Sequence, residues 1–128
     1  MITTPHLLIA DDDRAFRETL QEIFVSRGFE TSLAADGEQA VEIVTRTEIH
    51  VVLMDFQMPR LSGIEAVRQV KQQQAELPCI LISGAVNDEV LEQAEALSMY
   101  HVLTKPIKLA EIRASVRSAL TEFYGWTE

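Results

Sequence analysis

Val51-Val52-Leu53-Met54-Asp55-Phe56-Gln57-Met58-Pro59 is an apolar run that delivers one carboxylate to the point where the run must stop. Four apolar side chains in a row suit a parallel strand buried on both faces. Pro59 has no N–H and cannot extend a ladder, so Asp55 falls at the carboxyl end of a central strand. In open α/β sheets that edge is where ligands bind. The plainer reading of this segment is that Asp55 opens a loop or caps the next helix.

Around this run the chain alternates short apolar stretches with longer amphipathic ones, the pattern of βα units. His6 to Ala10 reads as a first strand, stopped by Asp11-Asp12-Asp13. Phe16, Leu20, Ile23 and Phe24 then recur at helical spacing, with Gly28 as the stop. Phe29 to Ala34 is a half-polar second strand suited to an edge. Asp36-Gly37 turns into a helix carrying Ala40, Val41, Ile43 and Val44. After the central run, Gly63 starts a helix with Ile64, Val67 and Val70 on one face, and Pro78 precedes a buried strand, Cys79 to Ile82, ending at Ser83-Gly84. Asn87 or Asp88 caps a helix with Val90, Leu91, Ala94 and Leu97. A weaker strand, Tyr100 to Leu103, ends at Thr104-Lys105-Pro106, and a last helix places Leu109, Ile112, Val116, Leu120 and Phe123 on one stripe.

Right-handed crossovers leave few ways to assemble five such units, and the flavodoxin-like doubly wound α/β sheet, order 2-1-3-4-5, is the commonest. In it the strand tips bring Asp11-Asp12-Asp13, Asp55, Ser83 and Lys105 to one edge. Carboxylates a few ångströms apart repel by up to ~4 kcal/mol per pair at an effective dielectric of about 20, so the cluster calls for a cation. All candidate ligands are hard oxygens, which favours magnesium, manganese or calcium over zinc. His6, His50 and His101 stand far apart without ligand spacing and receive no role. A carboxylate beside a cation, with a hydroxyl and an ammonium nearby, matches what phosphoryl transfer requires, and Asp can itself be the nucleophile. Taken singly, Asp12 or Asp13 reads as a helix cap, Ser83-Gly84 as a turn and Lys105 as a solvated side chain.

The totals bound the rest. At 128 residues, 47% apolar and 24% charged, the chain is expected to be one globular domain. The formal net charge of −9 argues against direct nucleic-acid binding, which relies on Lys and Arg neutralising phosphates. No apolar run reaches the roughly 18 residues of a membrane span, and Met1-Ile2-Thr3-Thr4-Pro5 lacks a basic flank, so a cytoplasmic address is the expectation. The single cysteine, Cys79, sits in an apolar run and reads as a buried small hydrophobe.

With these residues in place, the chain resembles the receiver domain of two-component response regulators, of the chemotaxis-regulator type, from about Leu7 to Phe123. The markers are the acidic pair Asp11-Asp12, the phospho-accepting aspartate in Asp55-Phe56-Gln57-Met58-Pro59, then Gly63, Ser83-Gly84 and Lys105-Pro106. The resemblance implies one receiver domain over residues 1–128, with a core of about 6–123. It also implies that Asp55 takes a phosphoryl group from a phosphohistidine on a sensor histidine kinase or phosphotransfer protein. Mg²⁺, or Mn²⁺ in its place, would be held by Asp12, Asp55, the main-chain carbonyl of Gln57 and, mostly through water, Asp11. Ser83 and Lys105 would hold the phosphoryl oxygens. The domain would catalyse its own phosphorylation and dephosphorylation without being a turnover enzyme, and would signal through helix four, strand five and helix five. Acidic Asp88, Glu89, Glu92 and Glu95 beside basic Lys108, Arg113 and Arg117 make a homodimer through that face an expectation.

Two positions depart from the family pattern. Val102 stands where an aromatic switch residue is usual, and Ser98-Met99, followed by Tyr100 and His101, replaces a Gly-Ala pair. Two rivals remain at this level. One is a haloacid-dehalogenase-type magnesium phosphohydrolase, which shares an Asp-x-Asp but leaves Asp55 without a task. The other is a receiver-like module that binds partners without phosphorylation.

Overall fold

The computed structural model describes residues 2–128. Its elements run β1 (His6–Ala10), α1 (Arg14–Ser26), β2 (Glu30–Ala34), α2 (Gly37–Arg46), β3 (Val51–Asp55), α3 (Gly63–Gln73), β4 (Cys79–Ser83), α4 (Asp88–Ala96), β5 (His101–Thr104) and α5 (Leu109–Tyr124). The sheet is parallel throughout, in the order β2-β1-β3-β4-β5. The expected doubly wound architecture is therefore the observed one, with the half-polar β2 at an edge.

Alternation along the strands decides which layer each side chain joins. Leu7, Ile9, Val51, Leu53, Ile80 and Ile82 pack with Leu20 and Phe24 of α1 and with Ile112, Val116, Ala119 and Leu120 of α5. Leu8, Ala10, Val52, Met54 and Cys79 pack on the other face with Ala40, Ile43 and Val44 of α2 and Ala66, Val67 and Val70 of α3. Leu81 turns to a smaller cluster with Ile64 and Val90, against which Val102 leans. The central strands β3 and β4 are buried at every position, as their unbroken apolar runs require.

Helix ends follow side-chain chemistry. Asp13, Asp36, Ser62 and Asn87 each accept a hydrogen bond from a first-turn N–H of their helix. At the other end α1 and α4 close with the same paired hydrogen bonds: Gly28 N–H to Val25 O with Phe29 N–H to Phe24 O, and Ser98 N–H to Glu95 O with Met99 N–H to Ala94 O. That turn needs a left-handed residue, supplied by Gly28 at φ +89° and by Ser98 at φ +55°. Ser98 thus holds a glycine conformation at the position where the family pattern has glycine.

Three details differ from the sequence reading. β5 begins one residue later than Tyr100, whose N–H already bonds Cys79 O while its ring packs toward α5 against Phe123. β2 likewise begins at Glu30, because Phe29 belongs to the turn closing α1. Leu109 and Phe123, at the two ends of the α5 stripe, are 38% and 41% exposed, since the 16-residue helix outruns the five-residue strands beneath it. Cys79 is fully buried, and burial pushes its thiol up to about 12. Among the described residues no helix is long and apolar enough to cross a membrane.

Candidate functional site

Parallel register brings the carboxyl ends of four strands to one edge: Asp11 follows β1, Asp55 ends β3, Ser83 ends β4 and Lys105 follows β5. Each is fixed locally. Asp11 N–H still bonds Ala34 O of β2, while its Oδ1 accepts the Asp13 N–H at 2.8 Å. Asp13 in turn caps α1, and the Arg17 guanidinium donates to Asp11 O at 2.7 Å. After Asp55, Phe56 N–H bonds Ile82 O and Gly63 N–H returns to Phe56 O, folding the intervening loop back on the strand end. That loop is tied to α2 by Arg60, whose guanidinium lies 2.7 Å from Asp36 Oδ2, the α2 cap residue. The Asp36 carboxyl is held below its ordinary value by the Gln39 N–H bond and by Arg60.

The result is a cavity lined by Asp11, Asp12, Asp13, Asp55, Phe56, Gln57, Gly84 and Lys105. Asp11, Asp12 and Asp55 each offer a carboxylate oxygen, all within 4.8 Å of one another. Asp11 and Asp55 are buried and Asp12 is exposed. Lys105 Nζ lies 3.3 Å from Asp55 Oδ1 and 3.7 Å from Asp11 Oδ2. Its ammonium also sits over the Phe16 ring, 5.5 Å from the centroid. Burial first, then the Asp11 charge, push the Asp55 carboxyl up to about 6 against the pull of Lys105. Asp11 is raised for the same first reason, opposed by the Asp13 N–H and by Lys105. For Lys105, partial burial alone lowers the ammonium's pKa, but Asp11 and Asp55 outweigh it and the net direction is up.

Three carboxylates against one ammonium leave the site short of positive charge. At 4.8 Å two unit charges repel by about 3 kcal/mol at an effective dielectric of 20. Asp11 Oδ2 is buried and makes no hydrogen bond, its cationic neighbour being the Lys105 ammonium at 3.7 Å, so it has a lone pair to offer a metal. Hard oxygen donors without His or Cys suit Mg²⁺ or Mn²⁺. The acidic residues therefore fit a divalent metal.

The sequence-derived set is only partly assembled. Asp11, Asp12, Asp55, Gln57 and Lys105 line one cavity. Ser83 does not: its buried hydroxyl is engaged by its own loop, donating to Ala85 O at 3.1 Å and accepting from Ala85 N–H at 3.2 Å, and Gly84 lines the cavity instead. Val102 packs beside α4 with Ile64, Leu81 and Val90. The sequence reading missed the Arg17 contact, the Arg60–Asp36 tie and the place of the Phe16 ring. Phe16 registered only as a member of the α1 apolar stripe, and helical spacing carries no sign that an ammonium lies over it. His6, His50 and His101 are held by hydrogen bonds outside the site, to Ser32, to the His6 N–H and to Ser115 respectively.

Comparison with known proteins gives a consistent picture. A family model described as the response regulator receiver domain matches residues 7–117. The response regulator MprA of Mycobacterium leprae is 35% identical over 116 residues, which cover 89% of this chain and 50% of that protein. The chain thus spans about half the length of the curated relatives it matches. Among solved structures, a CheY-like receiver domain protein from Methanospirillum hungatei aligns with TM-score 0.92 at 19% identity, over 96% of this chain and 98% of that one. The Francisella response regulator 1452 receiver domain aligns with TM-score 0.86 at 26% identity, over 93% and 98%. The CheX–CheY–BeF3–Mg²⁺ complex from Borrelia burgdorferi contains a chain that aligns with TM-score 0.84 at 27% identity, over 91% and 89%.

Proposed function

The chain belongs to the response regulator receiver family of two-component signalling, and from that premise we propose that Asp55 accepts a phosphoryl group from a phosphohistidine of a sensor histidine kinase or phosphotransfer protein. The observation that carries the reading is the Lys105 ammonium 3.3 Å from the Asp55 carboxylate, inside a cavity of carboxylates that leaves room for a cation.

Asp55 supplies the nucleophile. Its carboxylate oxygen forms the new O–P bond as the N–P bond of the donor breaks, and the imidazole leaves with a proton from solvent. Asp11, Asp12, Asp55 and the main-chain carbonyl of Gln57 would hold Mg²⁺ or Mn²⁺, which neutralises the carboxylates and offsets the charge of the incoming phosphoryl group. Lys105 brings a fixed positive charge to the oxygens that gain charge in the transfer. Ser83 has to exchange its Ala85 hydrogen bonds for a phosphoryl oxygen, and that exchange is the switch: it loosens the loop leading into α4. Because Val102 carries no ring, the change travels through the Ser83-Gly84 loop and α4 rather than through an aromatic on β5.

The signal ends by a second displacement at phosphorus: water attacks, the Asp55 carboxylate leaves and inorganic phosphate is released, so the domain acts as a self-limiting signal carrier and not as a turnover enzyme. The face it presents is α4, β5 and α5. Asp88, Glu89, Glu92 and Glu95 are exposed on α4, and among the described residues none of them forms an ion pair with Lys108, Arg113 or Arg117. Arg117 meets Glu128 within the chain at 3.9 Å, a half-exposed pair that can exchange, and the acidic α4 face can pair with the basic α5 face across a two-fold axis in a homodimer that phosphorylation strengthens and salt weakens. Sedimentation at low and moderate salt, with and without phosphorylation, tests the dimer, and a monomer throughout rejects it. The phosphorylation itself is tested by transfer of labelled phosphate from an autophosphorylated histidine kinase. Label should reach the parent only with Mg²⁺, drop sharply in Lys105→Ala and be absent from Asp55→Asn. Equal labelling of all three would reject the reading.

A further inference from the structure

We propose that Phe16 is the positioning residue for Lys105, its ring face holding the ammonium over the Asp11–Asp55 side of the cavity. The inference rests on the reading of Lys105 as the partner of the phosphoryl group, and adds how that side chain is kept in place.

Lysine is a point charge on a flexible four-carbon stem, so an ammonium that must meet one reacting centre needs more than one anchor. Lys105 has two charged anchors, Asp55 Oδ1 at 3.3 Å and Asp11 Oδ2 at 3.7 Å, yet its side chain is still 38% exposed. Both anchors are carboxylates of the proposed metal site, so a bound divalent cation competes with the ammonium for them. The ring does not enter that competition. A neutral aromatic face attracts a cation within about 6 Å through its quadrupole, and the Phe16 centroid is 5.5 Å from Lys105 Nζ.

Phe16 is itself fixed by the fold. Its N–H is bonded by the Asp13 cap at 3.2 Å, and its half-buried ring packs against the core cluster shared by α1, β1, β3 and α5. The Arg17 contact to Asp11 O secures the same first turn to the end of β1. The rigid partner is thus the ring and the mobile one the lysine, the arrangement that a positioning role requires.

The test replaces the quadrupole while keeping apolar volume. Lys105 ε-methylene signals, shifted upfield by the ring in the parent, should move toward ordinary values in Phe16→Leu and stay shifted in Phe16→Tyr, with and without Mg²⁺. Phosphorylation by acetyl phosphate should slow about two- to five-fold in Phe16→Leu, the size of a partly exposed cation–π contact, and recover in Phe16→Tyr. On a Lys105→Ala background, Phe16→Leu should add nothing. Phe16→Met serves as the second apolar replacement if leucine disturbs α1. Unchanged Lys105 signals in Phe16→Leu, or equal slowing with and without Lys105, would overturn the proposal. A parent that takes up no phosphoryl group would reject the phosphorylation reading by itself, while the Lys105 signals still decide the role of Phe16.

Discussion

A Cβ placed on Gly63 would lie 2.0 Å from the carbonyl oxygen of Asp55. The N-terminus of α3 is therefore packed directly on the backbone of the proposed phospho-acceptor, and the Gly63 N–H to Phe56 O bond closes the contact. Gly63→Ala should destabilise the domain by about 2–3 kcal/mol, because the clash is with backbone and cannot be relieved by a side-chain rotation. Gly84, whose Cβ would meet nothing within 4 Å, is the control, and Gly84→Ala should change stability by less than about 1 kcal/mol. Urea unfolding of the two variants makes the comparison.

The raised Asp55 carboxyl makes the metal-free domain sensitive to pH in a defined direction. Its folded value of about 6 stands above the ordinary 3.8, so the folded state holds the proton more tightly than the unfolded chain. The contribution is fully present below about 4 and is lost as pH rises through about 6. Without metal the parent should lose on the order of 2 kcal/mol between these limits from this group. Asp55→Asn should flatten that part of the profile and melt higher than the parent at pH 7. Thermal melts in chelator across pH 4–8 measure both effects.

Mg²⁺ should reverse the trend, since it binds the ionised carboxylates. At a hundred times its dissociation constant a ligand of the folded state stabilises by about 3 kcal/mol. That gain should be present at pH 7, fade below about 6 as protons compete at Asp55, and weaken in Asp12→Ala. Calorimetric titration with Mg²⁺ at pH 7 and 5.5 reads this out. Equal affinity in parent and Asp12→Ala would remove Asp12 from the ligand set.

Ser98 sits at φ +55°, where an L-residue is strained by roughly 1–2 kcal/mol and glycine is not. Ser98→Gly should stabilise the domain by about 1 kcal/mol after the greater freedom of glycine in the unfolded chain is deducted. The change belongs to the α4 end, so amide exchange there should slow relative to the rest of the sheet.

Much of this molecule was legible in its residues because the informative ones stand where a pattern ends. The apolar runs of β1, β3 and β4 stop at Asp11, Asp55 and Ser83, and parallel crossovers leave those ends no choice but one edge. Asp36 and Gly28 announced helix ends by local chemistry alone, and the start of α4 was legible to within one residue, Asn87 or Asp88, of which Asn87 is the cap. What was not legible depends on loop conformation. Nothing in Ser83-Gly84-Ala85 shows that the hydroxyl is engaged by Ala85. The Arg60–Asp36 tie joins residues 24 apart in sequence, and only the folded β3–α3 loop brings them together. Tyr100 read as strand because an apolar ring looks the same whether it enters a sheet or covers a helix.

The most direct test of the central claim is the intact mass of the protein after incubation with acetyl phosphate and Mg²⁺, measured for the parent and for Asp55→Asn. A gain of one phosphoryl group in the parent, abolished by chelator and absent from Asp55→Asn, is the predicted result. No gain in the parent, or the same gain in Asp55→Asn, would contradict the assignment of Asp55 as the phospho-acceptor.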